Sequence, residues 1–193
     1  MKSDIIKLSG DTKDNASLKA VLSETEKTAE YAELDKKQEG RLRLLAEELI
    51  SMLPEVLEFS SGEFWIDCSG KQFEMHTSLT PDVGINSEKR DELLKLSKSG
   101  KNAAAVGIMS KIRLAVTFML LDPNIYQNSF MYLGADPTGE SLVWTLDTFR
   151  KEAKEKKGEA WDELEKSIIG NIADDVLVGV EGKRVEIVVK KTF

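Results

Sequence analysis

EFWIDCSGKQFEMHTSL, residues 63–79, sets the period of the chain to two. Phe64, Ile66 and Cys68 alternate with Glu63, Trp65 and Asp67. Ser69 and Gly70 supply a turn, and Phe73, Met75, Thr77 and Leu79 then alternate with Gln72, Glu74, His76 and Ser78. Two such runs around a turn read as a hairpin with one apolar and one more polar face. Alternation of this kind fits a sheet covered by helices on one side and wet on the other, not a sheet buried on both faces. A two-layer architecture is therefore expected.

On the N-terminal side, Asp4 to Ser9 reads as a short strand with turn residues Gly10 and Asp11 behind it. Leu18, Val21, Leu22, Ala29 and Ala32 then recur at helical spacing, interrupted by Thr25, which predicts a helix from Ser17 to about Leu34. A second helix is expected after a break at Gly40. It has Leu42, Leu45, Leu49, Met52 and Leu53 on one face, and Pro54 disfavours its continuation.

On the C-terminal side, residues 81–101 read as loop around a short charged helix. A helix with a broad apolar face follows from about Asn102 to Leu121, with Ala105, Ile108, Met109, Ile112, Ala115, Val116 and Met119 at core spacing. Residues 122–139 are rich in turn signals. Two charged helices are expected at Ser141–Lys156 and from Glu159 to about Ile172, and a Val- and Ile-rich hairpin closes the chain at Asp175–Val180 and Val185–Lys190. The expected fold is thus an α/β (α+β) two-layer sandwich in one domain, residues 1–193. Its sheet is mixed and mostly antiparallel, helices cover one face, and a helical insertion at about 122–172 precedes the last hairpin.

The chain has 193 residues, 41% of them hydrophobic, long enough for one sizeable core. Its formal charge of −7 argues against a surface built to neutralise nucleic-acid phosphates. No run approaches a membrane span and MKSDIIKLSG lacks the apolar stretch of a signal peptide, so a cytoplasmic protein without membrane contact is expected. One cysteine, Cys68, and one histidine, His76, set aside disulfide and ordinary zinc chemistry.

The order strand, two helices, hairpin, loop, helix, insertion, hairpin resembles the histidine-kinase-like ATPase family, the GHKL group that includes the anti-sigma-factor serine kinases. In that family the second helix carries a Glu and an Asn that hold magnesium, an Asp after the hairpin reads adenine, and a Gly-rich loop wraps the phosphates. RLRLLAEELISML, residues 41–53, resembles the metal-binding helix, with Glu48 at the position of the catalytic Glu and Glu47 as the other register. Four residues on stand Met52 and Ser51, respectively, where the Asn belongs. A thioether is a poor ligand for a hard cation, so magnesium is disfavoured and no metal-binding residue is assigned. PDVGI, residues 81–85, resembles the adenine box, with Asp82 at the Asp, Gly84 at the first Gly and Asn86 in place of the second. A carboxylate there can accept a hydrogen bond from the adenine amino group. Thr77 or Ser78 is the alternative register, and Pro-Asp-x-Gly is also an ordinary turn. SGKNAAAVGIMSKI, residues 99–112, resembles the second glycine box. Gly100, Lys101, Asn102 and Gly107 are its phosphate-side residues, on the general ground that a helix N-terminus with a nearby Lys suits an anion.

The resemblance covers roughly two thirds of the chain. It implies a regulatory domain that binds ATP or ADP weakly, or a protein partner, or both, without efficient phosphoryl transfer. A nucleotide-free interaction module on the same fold is the second reading, and an active serine kinase using Glu48 and Asp82 the third. A homodimer is compatible with each. Of the remaining residues, His76 lies on the polar strand face without a Ser or Cys partner by spacing. Trp65, on the expected wet face, is the tryptophan most suited to a contact, and the charged stretch 149–166 reads as a solvated helical pair.

Overall fold

The computed structural model describes residues 1–10, 15–82, 108–121, 143–156, 162, 164, 167–181 and 184–193. The hairpin is its centre. Strand β2, Phe59–Ser69, turns through Gly70 into β3, Gln72–Pro81. Gly70 takes φ +61°, the left-handed region open to glycine at little cost. The hairpin begins earlier than its alternation suggests, because Ser60, Ser61 and Gly62 hide the pattern and a register shift falls between Phe59 and Ser61. On one side of β2 lies β1, Ile6–Ser9, with Ile6 opposite Phe64. On the far side of β3 lie β6, Arg184–Thr192, then β5, Asp175–Glu181, then the two-residue β4, Trp144–Thr145. The order is β1-β2-β3-β6-β5-β4, and every pairing among the described strands is antiparallel.

The helices are α1, Asn15–Tyr31; α2, Lys36–Val56; α3, Ile108–Leu121; α4, Leu146–Lys156; and α5, Ile168–Ile172. Helix α2 departs from its expected limits at both ends. It starts at Lys36, ahead of Gly40, because Asp35 and Gln38 form a capping box: the Asp35 carboxylate accepts from Lys37 N–H (2.8 Å) and Gln38 N–H (2.9 Å), and Asp35 N–H donates to Gln38 Oε1 (3.1 Å). It also runs through Pro54 to Val56, since burial of Leu53 and Val56 outweighs the single intrahelical bond that proline removes from the last turn. The helix expected at Ser141–Lys156 gives up its start to β4, where Trp144 and Thr145 pair with Val178 and Leu177. The run expected from Glu159 to Ile172 restarts at Ser167, which caps α5 by accepting Gly170 N–H (3.1 Å).

One core cluster joins the helices to one face of the sheet. It takes Val21 and Ala29 from α1, Leu42, Leu45, Leu49 and Leu53 from α2, and Ile112 and Val116 from α3. Against them lie Phe64, Ile66, Phe73, Met75, Leu79, Ile187 and Val178 of the strands. Thr25 and Thr28, polar interruptions on the buried side of α1, donate within the helix to Val21 O and Glu24 O (both 2.8 Å), which satisfies their hydroxyls in the core. The two-layer α+β arrangement follows from the periods of the sequence. The opposite face is not uniformly wet: Val143, Leu177 and Val188 form a small buried cluster on it. No helix among the described residues is long and apolar enough to cross a membrane.

Candidate functional site

Helix α2 buries Leu42, Leu45, Ala46, Leu49, Met52, Leu53 and Val56, which leaves Glu47 exposed and Glu48 half-buried at the edge of the packed face. Ser51 Oγ donates to Glu47 O (2.7 Å), so that hydroxyl is engaged with its own helix. Met52, one turn on from Glu48, is 4% exposed and belongs to the core cluster. The arrangement does not fit magnesium, a hard cation that takes oxygen ligands. In one register the second ligand position is a buried thioether, in the other a hydroxyl turned to the backbone. Among the described residues no group of three or more His, Cys, Asp or Glu side chains is arranged to hold a metal ion.

Asp82 follows β3 as an exposed residue, and its N–H donates to Glu58 O (3.1 Å) just beyond the C-terminal end of α2. Glu48 lies eight residues before the last residue of α2, about 12 Å back along the axis at the helical rise. Asp82 and Glu48 thus mark two levels of one helix. Helix α3 passes the same end, where Arg113 Nε donates to Glu55 O (2.6 Å). Thr77 and Ser78, the alternative adenine-box register, part company. Thr77 is fully buried on the helix side and donates to Ile187 O (3.3 Å), while Ser78 faces the other side. Gly84, Gly100, Lys101, Asn102 and Gly107 lie outside the described residues.

The face of the sheet away from the helices carries a second constellation. The register Trp65↔His76↔Val188 and the rows on either side bring Asp67, Glu74 and Lys190 together, and likewise Glu63, Ser78 and Glu186. Trp65 and His76 stack with centroids 4.8 Å apart at 4°, and the Lys2 ammonium lies 4.6 Å from the Trp65 ring centre. Trp65 Nε1 donates to Asp67 Oδ2 (3.1 Å). His76 Nε2 is buried without a hydrogen-bond partner among the described residues, although Asp67 Oδ2 lies 3.4 Å and Glu74 Oε2 3.6 Å away. Burial holds the imidazole below its ordinary range. Asp67 and Glu74 pull against that shift, and the Lys2 and Lys190 charges add to it. Ser78 Oγ hydrogen-bonds Glu186 Oε1, and burial pushes the Glu186 carboxyl up to about 6 against that bond and the Arg184 charge. Burial likewise raises the Cys68 thiol, which donates to Gly70 O (3.4 Å) and is a poor nucleophile there.

The residues alone place Trp65 and His76 on one face but miss Lys2 over the Trp65 ring and Arg184 and Glu186 beside Ser78 on the same face. The hairpin alternation carries the first fact. The second depends on the pairing of residues 1–4 with β2 for Lys2, and on the register between β3 and β6, more than a hundred residues apart, for Arg184 and Glu186; the chain offers no local signal for either. No family model, curated protein or solved structure matches the chain.

Proposed function

We propose that the chain is a regulatory binding domain on a histidine-kinase-like ATPase scaffold. On this reading it takes an adenine nucleotide weakly, with Asp82 at the base, and engages a protein partner, without efficient phosphoryl transfer. Cytoplasmic regulation of the anti-sigma kind is the setting this reading implies. The observation that carries it is the burial of Met52 one turn beyond Glu48. An apolar side chain packed into the core there removes metal positioning, on which phosphoryl transfer depends, and leaves a base-reading carboxylate at the far end of β3 untouched. The order of elements and the approach of β3, α2 and α3 at one end of α2 are in keeping with such a pocket.

The same burial favours a second reading, a nucleotide-free interaction module whose pocket is filled by Met52 and its neighbours. Thermal unfolding with ADP or ATP, each with and without magnesium, separates the two, because a ligand that binds the native state raises its melting temperature by mass action. A rise that does not depend on magnesium is expected. No rise at millimolar nucleotide favours the second reading. Efficient ATP turnover abolished by Glu48→Ala would overturn both.

A further inference from the structure

We propose that His76 is a proton-operated latch on the N-terminal segment, residues 1–4, acting through the Trp65 ring. This segment lies antiparallel along β2. Ser3 N–H donates to Ile66 O, Ile66 N–H donates to Ser3 Oγ, and Cys68 N–H donates to Met1 O, each at 2.8 Å. Lys2, bridged to Asp67 through the backbone, reaches over the open face to Trp65. Residues 1–4 and β3 flank β2 on opposite sides, so the Trp65 ring receives Lys2 from one strand neighbour and the His76 imidazole from the other.

The charged and titratable groups that face the imidazole from the described elements are Asp67 of β2, Glu74 of β3, Lys190 of β6 and Lys2 of the segment itself. Lys190 already holds Glu74 Oε1 at 3.0 Å. With the imidazole neutral, the ring carries one cation, Lys2. A proton on His76 sets a second cation against the same ring and draws the facing oxygens of Asp67 and Glu74 towards Nε2–H, so Lys2 loses part of what holds it. The coupling is reciprocal: as Lys2 disfavours the proton, the proton disfavours the seat of Lys2. The direction of the His76 shift puts the transition on the acidic side of neutrality. None of this depends on whether the domain binds a nucleotide.

The chain has a single histidine, so its imidazole Cε1–H proton gives one assignable NMR signal in the 193-residue chain. A pH titration should follow that signal, the Trp65 indole N–H and the exchange of the Cys68 amide, corrected for the intrinsic pH dependence of exchange. The imidazole is expected to titrate below 6.5 with the indole signal moving in step. Cys68 amide exchange is expected to quicken several-fold on the acidic side. Lys2 is exposed, and Lys2→Met should raise the His76 midpoint and remove the pH-linked change at Cys68. His76→Gln should remove it as well. A midpoint unmoved by Lys2→Met, or equal Cys68 protection on both sides of the transition, overturns the latch.

Discussion

Gly40 sits exposed inside α2, and a Cβ built on it meets nothing within 4 Å. Gly40→Ala should therefore stabilise the protein by about 1 kcal/mol, the helix-propensity difference, read from urea unfolding. Gly10 is the opposite case. Its Cβ would lie 1.7 Å from Phe59 O, a backbone atom that cannot step aside, and Gly10→Ala should destabilise by about 1–3 kcal/mol in the same measurement. Two titrating residues on the open face oppose one another. Glu186 has a folded value of about 6 against 4.5, so the folded state binds more protons between those values and gains stability as pH falls through them. His76 is shifted below 6.5, so the folded state binds fewer protons there and loses stability as pH falls. Glu186→Gln should make melting temperature drop more steeply between about pH 7 and about pH 5 than in the parent, and His76→Gln should make it drop less. Identical slopes in all three proteins would contradict the assignment.

On the proposed reading, helix α2 is the element on which structure and function meet. Met52→Ala should cost about 2–5 kcal/mol, as for any buried core methionine, while Glu48→Ala at the half-buried edge should leave unfolding nearly unchanged. Equal, small effects would mean that Met52 is not the core residue it is taken for. Arg150 ties α4 to the end of α5 by donating to Gly170 O (2.7 Å), Ala173 O (2.9 Å) and Asp174 O (2.7 Å). Arg150→Lys should lower the melting temperature because an ammonium cannot span that fork of carbonyls. At this scale the chain was easiest to read where one period ran unbroken. The hairpin alternation set the sheet and its two faces, and the apolar stripe of α2 chose its buried side. Local punctuation misled where another interaction outweighed it. Gly40 and Pro54 both punctuate a helix, yet a capping box upstream and buried Leu53 and Val56 downstream carry α2 past both. Trp144 and Thr145 fit a helical pattern, and only the edge of β5 makes them a strand.

For the whole molecule, the order β1-β2-β3-β6-β5-β4 closes the last hairpin against β3. Asp82, just past the end of β3, donates its N–H to Glu58 O beyond the C-terminal end of α2, the end that Arg113 of α3 also reaches. The place of Asp82 just after the hairpin was legible in the order of elements. The open-face cluster of Lys2, Trp65, His76, Glu186 and Arg184 was not, because it is assembled from three distant parts of the chain. The proposed function requires that the domain keep a base-reading site while its metal position is filled. Calorimetric titration of ATP and ADP into the purified protein, with and without magnesium and with Asp82→Asn as control, tests it most directly. The account predicts weak binding of both nucleotides, unchanged by magnesium and lost in Asp82→Asn. Magnesium-dependent binding, or no heat at millimolar nucleotide, would contradict it.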